Sequence, residues 1–234
     1  MADQDAAADR VYQELRRRIV SWETPPGSAL REVGLAEELQ VSRTPVREAL
    51  QRLKSDGLVV ARGRRGLEVP RWDAQHLEDS YRLRADLEAW SAKRAAERLS
   101  LRDLERLREL ADEMTRVHSG DCGAGELETI AELNADFHET IRVCAGSERL
   151  HQMTSAVVHL PLLHRVFHVF TAAEVTMTLA EHHTILRAFE ARDPDWAESI
   201  SRAHILAALH ALKRSLREED EGRRTTPSVL GVVS

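Results

Sequence analysis

Cysteine, aromatic residues and long apolar runs are all scarce in this chain of 234 residues. The two cysteines, Cys122 and Cys144, cannot form a disulfide framework and lack the spacing of a zinc knuckle, so we expect free thiols. No apolar run approaches the roughly 18 residues that cross a bilayer. The opening residues Met1–Asp5 lack the basic and apolar regions of a signal peptide. These absences predict a cytoplasmic protein without a membrane span.

Charge is divided unevenly along the chain. The net charge is −6 at pH 7, which by itself argues against nucleic-acid binding. However, Arg10–Arg71 hold thirteen Lys and Arg against eight Asp and Glu, whereas the rest of the chain holds 20 basic and 31 acidic residues. A basic part on an acidic remainder attracts a polyanion locally and repels it elsewhere. The length suffices for two modest domains.

The ten residues Val41–Leu50, VSRTPVREAL, predict a turn followed by a capped helix. Ser42 or Thr44 can accept the free N–H groups of the first turn, and Pro45 suits a first helical position. Arginine and hydroxyl side chains at a helix start match base edges and phosphates in a DNA major groove. Taken alone, the same pattern also fits an amphipathic helix with solvated arginines. The exposed polar set is Ser42, Arg43, Thr44 and Arg47.

The flanking residues favour DNA binding. Helical patterns at 11–22 and 35–39 precede this helix, and Gly57 is expected to end it. Two runs typical of strands, 58–61 and 67–70, then enclose the basic tip 62–66. Such a hairpin beside a helix-turn-helix is typical of a wing, in which arginine reaches phosphates or the minor groove.

Residues 11–71 resemble the winged helix-turn-helix of GntR-family bacterial transcription regulators. The resemblance rests on Pro26-Gly27, Leu30-Arg31-Glu32, Leu35-Ala36, the segment Val41–Leu50, Leu53 and Gly57-Leu58. It implies a DNA-binding domain over residues 8–71. Val33 stands where some members have a DNA-contacting arginine, so that contact is either missing here or supplied by Arg31. The implied DNA contacts are Arg31, Ser42, Arg43, Thr44, Arg47, Arg62, Arg64, Arg65 and Gly66.

The remainder predicts an all-helical domain over residues 74–217. Helical periodicity covers 74–98, 101–118, 125–145, 147–169, 174–191 and 194–217. We expect a disordered tail at 218–234. The predicted fold class is therefore mainly α: a winged helix-turn-helix of three helices and a small β-hairpin, followed by an all-α bundle.

Eleven histidines are present, and three of them form a constellation with one amide. Asn134 and His138 are four residues apart and so share one helix face, while His182 and His204 lie on the next two predicted helices among apolar residues. Three imidazoles and an amide oxygen suit a divalent metal. Two alternatives remain open from spacing alone: hydrogen-bonded core histidines, and a competing pair formed by His164 and His168.

Residues 75–215 resemble the FadR-type C-terminal domain, or FCD, found in part of the GntR family. The matching segments are Arg84–Glu88, Phe137-His138, Glu181-His182, Asp193 and His204-Ile205. The resemblance implies a metal held by Asn134, His138, His182 and His204, with Zn²⁺ expected and Ni²⁺ or Mn²⁺ as alternatives. Asn134 departs from the pattern, because aspartate is frequent there and an amide oxygen is neutral.

Such a site in this family has open coordination positions, so the resemblance also implies a small carboxylate-bearing effector. Arg84 could pair with that carboxylate, although an ion pair with Glu88 is an alternative. His164, Arg165 and His168 are the other candidates for the effector pocket, and a solvated helix face is the alternative for them.

The expected function is ligand-controlled transcriptional regulation, and we expect a repressor that binds a pseudo-palindromic DNA operator as a homodimer. One alternative keeps the DNA-binding role but has a metal-free pocket for a bulkier ligand such as an acyl thioester. A metal hydrolase is the other alternative; no carboxylate base or nucleophile accompanies the histidines by spacing, so we expect no enzyme.

Overall fold

The computed structural model describes residues 2–21, 23–63, 66–71, 74–118, 123–158 and 166–225. The predicted site residues Arg64, Arg65, His164 and Arg165 lie outside these ranges. In the described residues helices predominate and the strands form one small sheet, which confirms the predicted mainly-α class. No helix of this described part combines the length and the apolarity needed to cross a membrane.

Three helices and three short strands form the region that we call the head, residues 8–71. Apolar residues at helical spacing on α1 and α3 pack against each other, and Leu15, Val46 and Leu53 are fully buried between them. The elements are α1 (Ala2–Val20), β1 (Ala29–Leu30), α2 (Glu32–Glu38), α3 (Arg43–Ser55), β2 (Val60–Arg62) and β3 (Gly66–Glu68).

The start of α3 differs from the prediction. Ser42 occupies the N-cap position with an extended backbone, but its side chain makes no capping hydrogen bond. Pro45 is the third residue of the helix and not the first. An N-cap hydroxyl usually accepts from the second or third N–H of the helix, and proline has no N–H to donate. The hydroxyl of Ser42 therefore stays exposed beside Thr44.

The sheet has one strand more than the predicted hairpin. β1 pairs antiparallel with β3, and the strand order is β1-β3-β2. The hairpin strands are also shorter than predicted, because Leu58 and Val59 fill the head core before β2 begins. Gly57 ends α3 as predicted, with a φ of +71°, and Gly63 in the wing tip has a φ of +59°. Both values lie in the region that glycine adopts without strain.

The second region, which we call the helical domain, begins at residue 74. α9 lies along α4, and their shared core continues to α5, α6 and α8 around buried residues such as Phe137, Phe189 and Met114. The helices are α4 (Ala74–Arg98), α5 (Leu101–Val117), α6 (Ala124–Cys144), α7 (Glu148–Val157), α8 (Ala172–Glu190) and α9 (Pro194–Thr225). A short helical segment at 166–169 precedes α8.

Two predicted boundaries in the helical domain were wrong. The helix predicted over 147–169 ends at Val157, because Val158 takes an extended conformation and caps it. The last helix continues to Thr225, so residues 218–225 are helical and not part of a disordered tail. Arginine and glutamate are good helix formers, and Arg214 and Glu218 form an ion pair one turn apart where the tail was predicted to start.

Candidate functional site

Three histidines meet in the interior of the helical domain. His138 on α6, His182 on α8 and His204 on α9 are all buried, and one ring nitrogen from each lies within 4.8 Å of the others. The Nε2 atoms of His138 and His204 are 3.2 Å apart. Asn134, one turn before His138, places Oδ1 2.9 Å from Nε2 of His182. The structure thus brings together the four residues that the sequence nominated as ligands.

The outward-facing nitrogen of each ring has its own acceptor. Nδ1 of His138 is 3.0 Å from Oε2 of Glu88, and Nδ1 of His204 is 2.8 Å from Oε2 of Glu181. Nδ1 of His182 is 2.8 Å from the carbonyl oxygen of Thr178. An imidazole that donates its Nδ1–H in this way has a lone pair on Nε2. The Nε2 lone pairs of His138 and His204 therefore lie close together, and a ring nitrogen of His182 is within 4.8 Å of them.

Two of the rings, those of His138 and His182, are neutral at physiological pH. Burial lowers the pKa of His138 to about 4, despite the opposing effect of Glu88. Burial, together with the neighbouring His204 and His138, holds the pKa of His182 well below its ordinary value. Neutral imidazole is the form that binds metals.

These donors fit a divalent ion. Two nitrogen ligands of a tetrahedral zinc lie about 3.3 Å apart, because each zinc–nitrogen bond is about 2.0–2.1 Å long. The 3.2 Å between the Nε2 atoms of His138 and His204 agrees with that spacing. Facing lone pairs repel, and a shared cation relieves that repulsion. Oδ1 of Asn134 lies 2.9 Å from Nε2 of His182, so an amide oxygen stands beside the ring nitrogens as a further possible ligand.

Glu88 was missed as a site residue, although it is buried and lies at the centre of an ionic network. Its Oε1 is 3.0 Å from Nε of Arg84 and 3.2 Å from Nη1 of Arg142, while its Oε2 accepts from His138. Burial raises the pKa of Glu88, but His138, Arg84 and Arg142 together outweigh burial and hold this pKa well below its ordinary value. Glu88 is therefore ionised, and it orients His138 as carboxylates do behind metal-bound histidines.

Glu181 and Thr178 were missed as well. The sequence held a signal for Thr178, namely its spacing from His182, but none for Glu181. Glu181 directly precedes His182, but its partner is His204 on another helix. Thr178 lies one turn before His182 on α8. The spacing alone could therefore have identified the carbonyl oxygen of Thr178 as an acceptor for Nδ1 of His182.

Arg84 forms the buried ion pair with Glu88 that was the alternative to effector binding. It also lines a cavity of about 10 Å³ beside the histidines, together with Asn134, Phe167, Thr178 and His204. His168 lies half-buried on the 166–169 segment, whose residues Val166 and Phe167 line this cavity. His183, next to His182 in sequence, faces another neighbour, because its Nε2 is 3.0 Å from Oγ1 of Thr115.

The predicted DNA-reading side chains form an exposed surface on the head. Ser42, Arg43, Thr44 and Arg47 are all exposed at the start of α3. A groove of about 780 Å³ separates α3 from the wing, and Arg31, Arg43, Arg62 and Gly66 line it. Gln51 and Lys54 also line this groove and were missed, although they follow Arg47 at helical spacing.

The comparisons with known proteins match this architecture. Residues 7–69 match the family model described as bacterial regulatory proteins, gntR family, and residues 79–207 match the FCD domain. The chain belongs to the GntR family. It carries an FCD domain and is a DNA-binding transcriptional regulator, which confirms the resemblance that the sequence indicated.

Individual relatives agree with this assignment. The chain is 29% identical to the HTH-type transcriptional regulator McbR of Escherichia coli over 188 residues, or 80% of this chain and 83% of McbR. The solved structure titled E. coli McbR/YncC superposes with a TM-score of 0.65 at 26% identity, over 92% of this chain and 98% of that one. The HTH-type transcriptional repressor RspR of Escherichia coli is 26% identical over 90% of each chain. These relatives are regulators and not enzymes.

Replacing Glu88 should destabilise the helical domain. We expect Glu88→Gln to lower the free energy of unfolding by about 3–5 kcal/mol, because it removes the charge that neutralises two buried guanidinium groups. Urea denaturation of the full chain measures the change. Glu139→Gln is the matched control: Glu139 also pairs with Arg142 but is 44% exposed, so the loss should stay below about 1 kcal/mol. Equal losses in the two variants would contradict the central role of Glu88.

Proposed function

We propose that this protein is a repressor that binds a pseudo-palindromic operator as a homodimer. One head offers a single reading helix, α3, and therefore reads one half-site. Two copies related by a two-fold axis match the symmetry of a pseudo-palindrome. The relative RspR is named a transcriptional repressor, which supports repression over activation.

The helical domain is the proposed sensor of a small carboxylate-bearing metabolite. Asn134, His138, His182 and His204 would hold one divalent ion, for which Zn²⁺ fits best and Ni²⁺ or Mn²⁺ are alternatives. When bound, the ion supplies a positive charge that attracts a carboxylate. The observation that carries this proposal is the convergence of three buried histidines, which bring one ring nitrogen each within 4.8 Å of the others and whose Nδ1 atoms all lie beside acceptors.

The surroundings of the histidines favour an anionic ligand of small size. Arg84 lines the cavity beside the histidines and supplies a positive charge there, and its carboxylate partner Glu88 is shared with Arg142. The cavity that the described residues line measures about 10 Å³, close to the volume of one water. Pockets for drug-sized ligands measure several hundred Å³, so the cavity must widen for either effector, and by far more for an acyl thioester than for a small carboxylate. His168 on the adjacent segment, together with His164 and Arg165, remains a proposed part of the effector pocket.

Helix α6 offers a route from the sensor to the head. Nη1 of Arg16 on α1 lies 3.3 Å from Oε1 of Glu128 and 3.6 Å from Oε1 of Glu132, both on α6. The same helix carries Asn134 and His138 farther along. A displacement of α6 on ligand binding would therefore move its contact with α1, which packs directly on α3. Such coupling requires that the ligand prefer one arrangement of the two regions.

Operator binding tests the DNA-reading role. We expect Arg47→Ala to weaken binding to a duplex selected by the protein from a random pool by roughly ten- to a hundredfold, because a bidentate contact with a base is lost. Fluorescence anisotropy at fixed salt measures the affinity. Unchanged affinity in this variant would remove Arg47 from the reading surface, and failure of the wild-type chain to select any sequence would overturn the function.

Metal analysis tests the sensor. Purified full-length protein should contain about one equivalent of a divalent metal, and His138→Ala should lose it because a ligand is missing. His183→Ala is the matched control and should keep the metal, since His183 bonds to Thr115 outside the cluster. Asn134→Asp should bind the metal more tightly, because a carboxylate adds a negative charge. Equally low metal content in the wild type and in His138→Ala would contradict the assignment.

The contact of Arg16 with α6 makes the coupling testable. We expect the operator affinities of zinc-loaded and chelator-treated wild type to differ by roughly 5–150-fold, the usual range of allosteric coupling. In Arg16→Ala this ratio should approach one, because the ion pairs that join α1 to α6 are lost. Arg17→Ala is the control, since its partners Glu14 and Glu23 lie within the head. An unchanged ratio in Arg16→Ala would exclude this route.

A further inference from the structure

Two arginines of the reading helix share one carboxylate. Glu32, the first residue of α2, accepts from Nε and Nη2 of Arg47 at 3.2 and 3.1 Å. Its Oε2 also lies 3.6 Å from Nη2 of Arg43. Arg43 and Arg47 are one turn apart on α3, so a single acceptor on α2 can contact both.

The contact occupies only one edge of the Arg47 guanidinium. A guanidinium has a side edge, Nε with Nη2, and an end edge, Nη1 with Nη2, and either can make paired hydrogen bonds. Glu32 binds the side edge, and among the described residues the hydrogen bonds of Arg47 all go to Glu32. The end edge is then directed away from Glu32 and can pair with O6 and N7 of a guanine.

The charge of Glu32 has a second effect. The hydrogen bond from Arg47 holds the pKa of Glu32 below its ordinary value, so the carboxylate is ionised at neutral pH. An anion within a DNA-facing surface is repelled by every phosphate backbone, whatever its sequence. Affinity for unrelated DNA should therefore fall, while a correctly placed guanine gains a fixed partner.

We propose that Glu32 is a positioning residue that sets sequence specificity by fixing the guanidinium of Arg47 for a guanine and disfavouring unrelated duplex. The proposal rests on the proposed reading role of Arg47. A purely structural role for Glu32, in which it docks α2 onto α3, would lower affinity for both kinds of DNA together with the stability of the head.

The test compares selected with random duplex in the full-length protein. For Glu32→Ala we expect affinity for the selected duplex to fall and affinity for a random duplex of equal length to rise a few-fold, so that their ratio falls at least tenfold. Glu32→Gln, which keeps one acceptor oxygen, should give an intermediate ratio. Binding to random duplex should also become more salt-dependent, by up to about one released ion.

Glu38→Ala is the matched control. Glu38 lies on the same helix and also forms an ion pair with an arginine, but its partner is Arg18 on α1. Its loss changes the charge of the head equally and should leave the ratio within about twofold of wild type. A fall in the ratio as large as that of Glu32→Ala would show that charge alone is responsible and would overturn the proposal.

The other outcomes of these binding measurements distinguish the positioning role of Glu32 from the reading role of Arg47. Glu32→Ala with an unchanged ratio, or with parallel losses of both affinities and of stability in urea, overturns the role of Glu32. An unchanged ratio in Arg47→Ala removes the reading role of Arg47 and with it the proposal. If both roles hold, Glu32→Ala added to Arg47→Ala should lower the ratio no further, because the two residues act through one contact.

Discussion

The buried carboxylate of Glu88 is the interaction on which the helical domain depends. An ionised carboxylate in a protein interior is costly unless charged and hydrogen-bonding partners surround it. Arg84 on the same helix and Arg142 and His138 on α6 are those partners, so α4 and α6 are held in one register. Because His138 donates Nδ1–H to this carboxylate, its other nitrogen faces the interior.

The proposed metal site is divided among helices that are far apart in sequence. Its candidate ligands come from α6, α8 and α9, and the groups that orient them come from α4 and α8. A site with this construction is sensitive to small changes in helix packing, and a ligand that prefers one packing can shift the equilibrium between two. Helix α6 belongs to the site and also contacts α1 of the head through Arg16, which is why we assign it the coupling role.

In the head, different groups attract DNA of any sequence and select one sequence. Exposed arginines along α3 and the wing supply a positive field that acts on any duplex. Glu32 weakens that field at one point and orders the guanidinium of Arg47, in the further role that we propose for it. The acidic helical domain limits DNA attraction to the head, so the negative net charge of the chain is compatible with DNA binding.

Local signals in the sequence sufficed for most helix spans, the reading helix and the four candidate ligands, because periodicity, capping residues and glycine act within one or two turns. The two-residue strand β1, the early end of α7 at Val158 and the helical continuation to Thr225 carried no such signal. Packing decided which partner each charged group received: Glu88 joins residues up to 54 positions away, and Glu32 meets Arg47 across 15. Such pairings depend on how the helices lie against one another. That arrangement is set by the free energy of the whole fold, so no single segment of sequence reveals it.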